Sequence, residues 1–152
     1  MSWKDTYKVW QERTDLEPDL KQELAAMNDD KEIEDAFYGP LSFGTAGMRG
    51  LMGPGINRMN VYTVRQATEG LATLMDSLGD DIKKRGVAIG YDSRHNSRKF
   101  AHDAARVLGA HGIKVYIYDN LRPTPELSFA VRHMGTYAGI MITASHNPKE
   151  YK

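Results

Sequence analysis

Thr143-Ala144-Ser145-His146-Asn147-Pro148 sets a hydroxyl, an imidazole and an amide side by side, directly after an apolar run. A serine hydroxyl is a weak nucleophile until a base, a lowered pKa or a cation activates it. His146 is adjacent, but neighbouring side chains on a loop tend to point apart. The spacing does not make a nucleophile elbow, which needs glycine two positions before and two after the serine. Thr143 and Asn147 stand there instead, which argues against a serine hydrolase. Two readings stay open. Ser145 or Asn147 caps a helix whose first turn holds Pro148. Alternatively, Ser145 lies at a helix N-terminus, where backbone N–H groups favour a phosphate.

A second cluster lies upstream. Gly44, Gly47 and Gly50, with Arg49 among them, can bring backbone amides and a guanidinium to an anion, or can form a glycine-rich turn with a surface arginine. No Gly-Lys-Ser/Thr follows, and the glycines stand three apart, so neither a Walker loop nor a dinucleotide fingerprint is present. Asp92 and Arg94 follow a strand-like run. They read as a turn in which Asp92 caps the next helix and pairs with Arg94, or as ligand-binding groups. Arg122-Pro123-Thr124-Pro125 reads as a rigid turn into a helix capped by Thr124 or Pro125.

The elements that must position these residues follow from periodicity. Trp3, Tyr7 and Trp10 share one helical face, and Leu20, Leu24 and Met27 follow Pro18 at helical spacing. Residues 29–38 suggest a further short helix, stopped by Gly39-Pro40. Residues 43–58 form a loop or a heavily turned strand. Val61, Val64, Thr68, Leu71, Met75 and Leu78 mark a helix ended by Gly79. Val87–Tyr91 is a short strand, and Phe100, Ala104, Val107 and Leu108 mark a helix. Ile113, Val115 and Ile117 alternate as a strand. Leu127, Val131 and Met134 are the inward side of a helix, and residues 137–142 are an apolar strand. Strand and helix alternating in this way predict an α/β fold with right-handed crossovers, a mainly parallel sheet and helices on both faces. Ligands gather at the carboxyl ends of such strands, where both the Asp92 and Ser145 loops fall.

Composition narrows the classes. A chain of 152 residues holds one domain comfortably. Lysine plus arginine equals aspartate plus glutamate, 20 each, so no positive excess points to nucleic acid or a membrane surface. The absence of cysteine excludes disulfides, thiolate metal sites and a cysteine nucleophile. No apolar run approaches the roughly 20 residues of a membrane span. The N-terminus has no apolar leader core, so a cytoplasmic location is expected.

Taken in order, Phe43-Gly44-Thr45-Ala46-Gly47-Met48-Arg49-Gly50, Gly90-Tyr91-Asp92-Ser93-Arg94, Pro123-Thr124-Pro125 and Thr143 to Pro148 resemble the first domain of the α-D-phosphohexomutase superfamily. The helical N-terminus and Asn57-Arg58-Met59-Asn60 are most similar to its phosphoglucomutase and phosphopentomutase branch. The resemblance implies a helical extension over residues 1–40 and a phosphoserine-carrying α/β domain over 41–152. It implies interconversion of sugar 1-phosphates and 6-phosphates through phosphorylated Ser145 and a bisphosphorylated sugar, which also serves as activator. The substrate would be a hexose or pentose phosphate. Ser145, His146 and Arg49 would be catalytic. Thr45, Gly47, Arg49, Asn147, Asp92 and Arg94 would bind phosphate or substrate. Magnesium would touch Ser145 through its phosphate, with its other ligands on a later domain.

The chain departs from the family in one respect. The family has four domains, and this sequence stops a few residues past the serine loop, so the α/β domain is expected to be incomplete and the later domains absent. Lys152 stands too close to Pro148 for the family's proton-transferring lysine. The expectation is a chain inactive alone, with an exposed apolar face that favours self-association. The alternative is a non-catalytic fragment that binds a phosphosugar or a partner chain.

Overall fold

Ser2 opens the first helix with a reciprocal cap. Its hydroxyl accepts the Asp5 N–H at 3.3 Å, and the Asp5 carboxylate accepts the Ser2 N–H at 2.8 Å. The computed structural model describes residues 2–152 and divides into two compact units. One comprises residues up to Thr63 with His146–Lys152, the other Val64–Ser145.

In the first unit, α1 (Trp3–Glu12), α2 (Pro18–Ala26) and α3 (Asp30–Phe37) follow the expected periodicity. They bury Trp10, Leu16, Leu24, Ile33, Ala36 and Phe37 together. Trp10 and Tyr7 both meet the Phe37 ring edge-on, at 5.6 and 5.3 Å between centroids, an arrangement worth about 1 kcal/mol beyond area burial.

After α3 the chain turns through a glycine-rich stretch knitted together by Asn60, which is 2% exposed. Its amide nitrogen donates to the Gly53 and Gly55 carbonyls, both at 2.9 Å. Its oxygen accepts the N–H groups of Tyr62 and Thr63. Truncation would strand four backbone groups, three of them on buried residues. Asn60→Ala is therefore expected to lower unfolding stability by about 3 kcal/mol, read as a fall in urea midpoint at unchanged slope. A loss below about 0.5 kcal/mol would refute this account of the turn.

The region read as a loop or turned strand contains a small hairpin, β1 (Phe43–Gly44) and β2 (Gly47–Met48), paired antiparallel. Residues 50–52 then pair with 150–152. The Gly50 N–H donates to the Lys152 carbonyl at 2.8 Å and the Lys152 N–H returns to Gly50 at 2.9 Å. The Met52 N–H donates to the Glu150 carbonyl at 2.7 Å. This corrects the expected helix after Pro148. The Tyr151 N–H closes a turn on the Pro148 carbonyl instead, and Tyr151 bridges Leu51. The backbone groups of Gly50 and Met52 need partners, and an extended segment meets that need where a helix would not.

The second unit holds the sheet. Most of α4 (Val61–Leu78) belongs to it, followed by α5 (Asp80–Arg85), β3 (Val87–Tyr91), α6 (Ser97–Ala110), β4 (Val115–Ile117), α7 (Thr124–Met134) and β5 (Ala138–Ile142). The three strands are parallel in the order β4-β3-β5. The chain moves from β3 to β4 in one direction and from β4 across to β5 in the other. With right-handed crossovers, α6 and α7 then lie on opposite faces. Every residue of the central strand β3 is buried. The α/β class, parallel pairing and helices on two faces agree with the sequence reading.

Four details differ. α5 has only six residues and offers no apolar period to read. Ile113 is buried just before β4 rather than within it. α7 begins after Pro123 with no side-chain cap, so neither Thr124 nor Pro125 caps it. Met134 is 44% exposed rather than inward. Val131 already lies over Gly139, the second residue of β5, so one turn later Met134 overhangs the sheet edge.

His111, at the C-terminus of α6, ties that helix to α4. Its Nδ1 meets Asp76, and its Nε2 lies 2.9 Å from Glu69. Lys83 of α5 also reaches Asp76, at 2.8 Å. The hydrogen bonds to Asp76 and then Glu69 raise the His111 pKa above the ordinary 6.5. The same clasp, led by Lys83, holds Asp76 below the ordinary 3.8. Because the histidine value is raised on folding, its contribution is full below pH 6.5 and fades as pH rises through the folded value. The Asp76 contribution is full above pH 3.8 and fades as pH falls through its lowered value. Wild type is thus expected to out-melt His111→Gln most clearly between about pH 4 and 6.5 and to lose that margin in alkali. A pH-independent difference in melting midpoint would count against the clasp.

Candidate active site

The loops after β3 and β5 emerge side by side at the carboxyl edge of the sheet. That edge is where open α/β sheets bind ligands. The two loops are fastened to each other. The Asp92 N–H donates to the Ile142 carbonyl at 3.1 Å, extending the β3–β5 pairing by one bond.

The Asp92 side chain then spans the gap. Its Oδ2 accepts the Thr143 hydroxyl at 2.9 Å and the Ala144 N–H at 3.3 Å. Its Oδ1 accepts the Arg94 N–H at 3.0 Å and the Ser97 hydroxyl. Arg94 reaches the same loop, donating from Nη2 to the Ser145 carbonyl at 2.7 Å. The N-cap position of α6 falls to Asn96 in left-handed backbone, not to Asp92. Asp92 instead braces the first turn of α6 through Ser97.

Ser145 itself is exposed and has φ 51°. That left-handed conformation costs a non-glycine residue about 1–2 kcal/mol, and strain of this kind clusters where a side chain must be presented. Backbone bonds on both sides oppose it: Arg94 on the Ser145 carbonyl, and the Thr143 hydroxyl accepting the Ser145 N–H at 3.0 Å. Among the described residues, 146–152 run as turns and a bridge to Leu51.

The remaining candidates belong to the first unit. Thr45 and Ala46 form the two-residue turn of the β1–β2 hairpin, and Gly47 has φ 144°, a conformation that favours glycine. Arg49 follows β2 directly and is exposed. It is immediately followed by Gly50, whose backbone is held by Lys152. His146 is exposed and Asn147 half-buried.

Asp92, Arg94 and Ser145 therefore come together in one unit. Sequence reasoning missed Thr143 and Ser97, because hydroxyl residues beside a strand end are too common to carry a signal alone.

Among the described residues no group of three or more His, Asp or Glu side chains could hold a metal ion. Asp92 commits both oxygens to the loops. These residues do not assemble a metal centre. Among the described residues no helix is long and apolar enough to cross a membrane.

The fold defines an α/β domain with a braced loop at the carboxyl edge of its parallel sheet. The match is specific: residues 40–152 fit the model of phosphoglucomutase/phosphomannomutase, alpha/beta/alpha domain I, and the chain belongs to that family. It is 39% identical over 145 residues to a phosphopentomutase of Homo sapiens, covering 91% of this chain and 24% of that protein. It is 43% identical over 144 residues to a phosphoglucomutase of Staphylococcus aureus (strain USA300), covering 95% of this chain and 25% of that protein. A solved structure of a Thermus thermophilus protein assigned as a phosphomannomutase superposes with a TM-score of 0.65 at 35% identity, over 74% of this chain and 24% of that one. The chain thus spans about a quarter of the length of the relatives it matches.

Proposed function

We propose that this domain is the phosphoryl carrier of a phosphohexomutase-type isomerase, with Ser145 as the carrier. The observation that supports it most is the exposed Ser145, held on left-handed backbone at the carboxyl edge of a parallel sheet. In this reading the Ser145 Oγ–P bond breaks as a hydroxyl oxygen of a bound sugar phosphate takes the phosphoryl group, and the proton of that hydroxyl ends on the departing Ser145 Oγ. The resulting sugar bisphosphate turns over and returns its other phosphate to Ser145 Oγ. The sum is a 1-phosphate converted to a 6-phosphate, or the reverse. Such transfer demands positioning and charge stabilisation more than an unusual nucleophile.

Arg49, with its permanent charge and forked donors, is the residue proposed to meet phosphate oxygens. His146 and Asn147 are proposed to orient the phosphate or sugar, and Thr45 and Gly47 to shape the arginine-bearing loop. Asp92 and Arg94 act through the loop they fasten. Of the ligands a magnesium ion would need, these residues offer the Ser145 phosphate alone. We therefore expect the 152 residues by themselves to accept a phosphoryl group without sustained turnover.

The test is incubation with α-D-glucose 1,6-bisphosphate and magnesium, followed by intact mass and fragment mapping. The expected result is one added phosphate, on Ser145. Binding of the sugar with no added phosphate would favour a non-catalytic phosphosugar-binding domain instead. Phosphate on another residue would end the proposal.

A further inference from the structure

Thr143 sits between two groups that constrain its hydroxyl completely. An ionised carboxylate can only accept hydrogen bonds. At 2.9 Å from Asp92 Oδ2, the Thr143 hydroxyl must therefore be the donor. Its single proton is committed there, and only its lone pairs remain. The Ser145 N–H, at 3.0 Å, donates to them. The bonds run in one direction, from the Ser145 amide through the Thr143 oxygen to the Asp92 carboxylate. A hydroxyl that donates to a charge is polarised into a better acceptor.

From this chain of bonds we infer that Thr143 is a positioning residue of the carrier loop: its hydroxyl couples Asp92 to the Ser145 amide and keeps Ser145 in the left-handed backbone that presents its Oγ. The inference rests on the reading of Ser145 as phosphoryl carrier.

Three observations support it. Ser145 is one of only two non-glycine residues at positive φ among those described, so something must offset the strain. The peptide groups flanking Ser145 are both held, the amide by Thr143 and the carbonyl by Arg94. Asp92 is in turn fixed by the Arg94 N–H and the Ser97 hydroxyl, so the far end of the relay cannot swing away cheaply. A side chain with the shape of threonine but no hydroxyl would keep the packing and break the relay.

The test compares Thr143→Val and Thr143→Ser in the full chain. α-D-glucose 1,6-bisphosphate is the phosphoryl donor, and hydrogen exchange at the Ser145 amide is a second readout. Phosphoryl uptake by Thr143→Ser should fall within about twofold of wild type. Uptake by Thr143→Val should be roughly tenfold slower at saturation with half-saturating donor little changed, and its Ser145 amide should exchange about tenfold faster. Uptake by Thr143→Val at the wild-type rate, or equal impairment of both variants, would overturn the relay. If wild type takes up no phosphate, the carrier reading fails and the amide exchange alone decides. Protection in wild type and Thr143→Ser but not in Thr143→Val upholds the relay, and equal exchange in all three refutes it. Should Thr143→Val fail to fold, Asp92→Asn takes its place, with a tenfold loss supporting the relay and wild-type uptake refuting it.

Discussion

Ser145→Ala is expected to abolish phosphate incorporation from a sugar bisphosphate, a fall on the order of a thousandfold or more, as when other reactive side chains that act as a unit are removed. The variant deletes the one oxygen on which the proposed carrier depends. A bare loss of signal would be ambiguous, because Ser145 also occupies strained backbone at φ 51°. Ser145→Gly resolves this. Glycine adopts left-handed backbone without the Cβ penalty, so relief of the strain should offset the lost backbone stiffness and leave the domain as stable as wild type, or up to about 1 kcal/mol more so. It should still take up no phosphate. Stability kept while incorporation is lost would separate chemistry from folding. Incorporation surviving in either variant would remove Ser145 from the role.

Gly86→Ala should be among the most damaging single substitutions in the α/β unit, at about 2–6 kcal/mol. Gly86 ends α5 at φ 77° and ψ −165°, backbone that is essentially reserved for glycine, where alanine costs about 1–3 kcal/mol. Beyond that, a Cβ there would stand 2.2 Å from the Lys114 carbonyl oxygen. That oxygen cannot yield easily, because it accepts the Val87 N–H at 2.9 Å. The Gly86 carbonyl in turn accepts the Tyr137 N–H at 2.9 Å. The amino ends of all three strands meet at this residue, so a shift to relieve the clash would disturb each of them, adding about 1–3 kcal/mol. Against a total of about 5–15 kcal/mol, that is a large share. Gly135→Ala is the control: φ is 66° but nothing lies within 4 Å of the added carbon, so only the conformational cost of about 1–2 kcal/mol is expected. Equal losses in urea midpoint for the two variants would show that the carbonyl contact does not matter.

Much of the architecture was legible because periodicity is a local property. The stripe from Val61 to Leu78 became one helix, and the runs at 87–91 and 137–142 became paired parallel strands. The six residues of α5 carried no period and were not seen. Met134 continued the apolar spacing of α7, yet it is exposed because the sheet ends beneath Val131. Where a helix stops having a neighbour is not written in its own repeat.

By itself the sequence determined the order of strands and helices, the family, and Ser145 as the residue to ask about, since these depend on side-chain type and short-range spacing. It could not assign the work of Asp92 and Arg94, which a ligand site and a loop brace satisfy equally well on paper. Tertiary structure decided where those side chains go. It brought Asp92 to Thr143 across 51 residues and turned Arg94 onto the Ser145 carbonyl. It also paired Lys152 with Gly50 in place of a helix after Pro148. Each is a contact between segments far apart in the chain, selected because buried or constrained polar groups must find partners wherever the fold puts them.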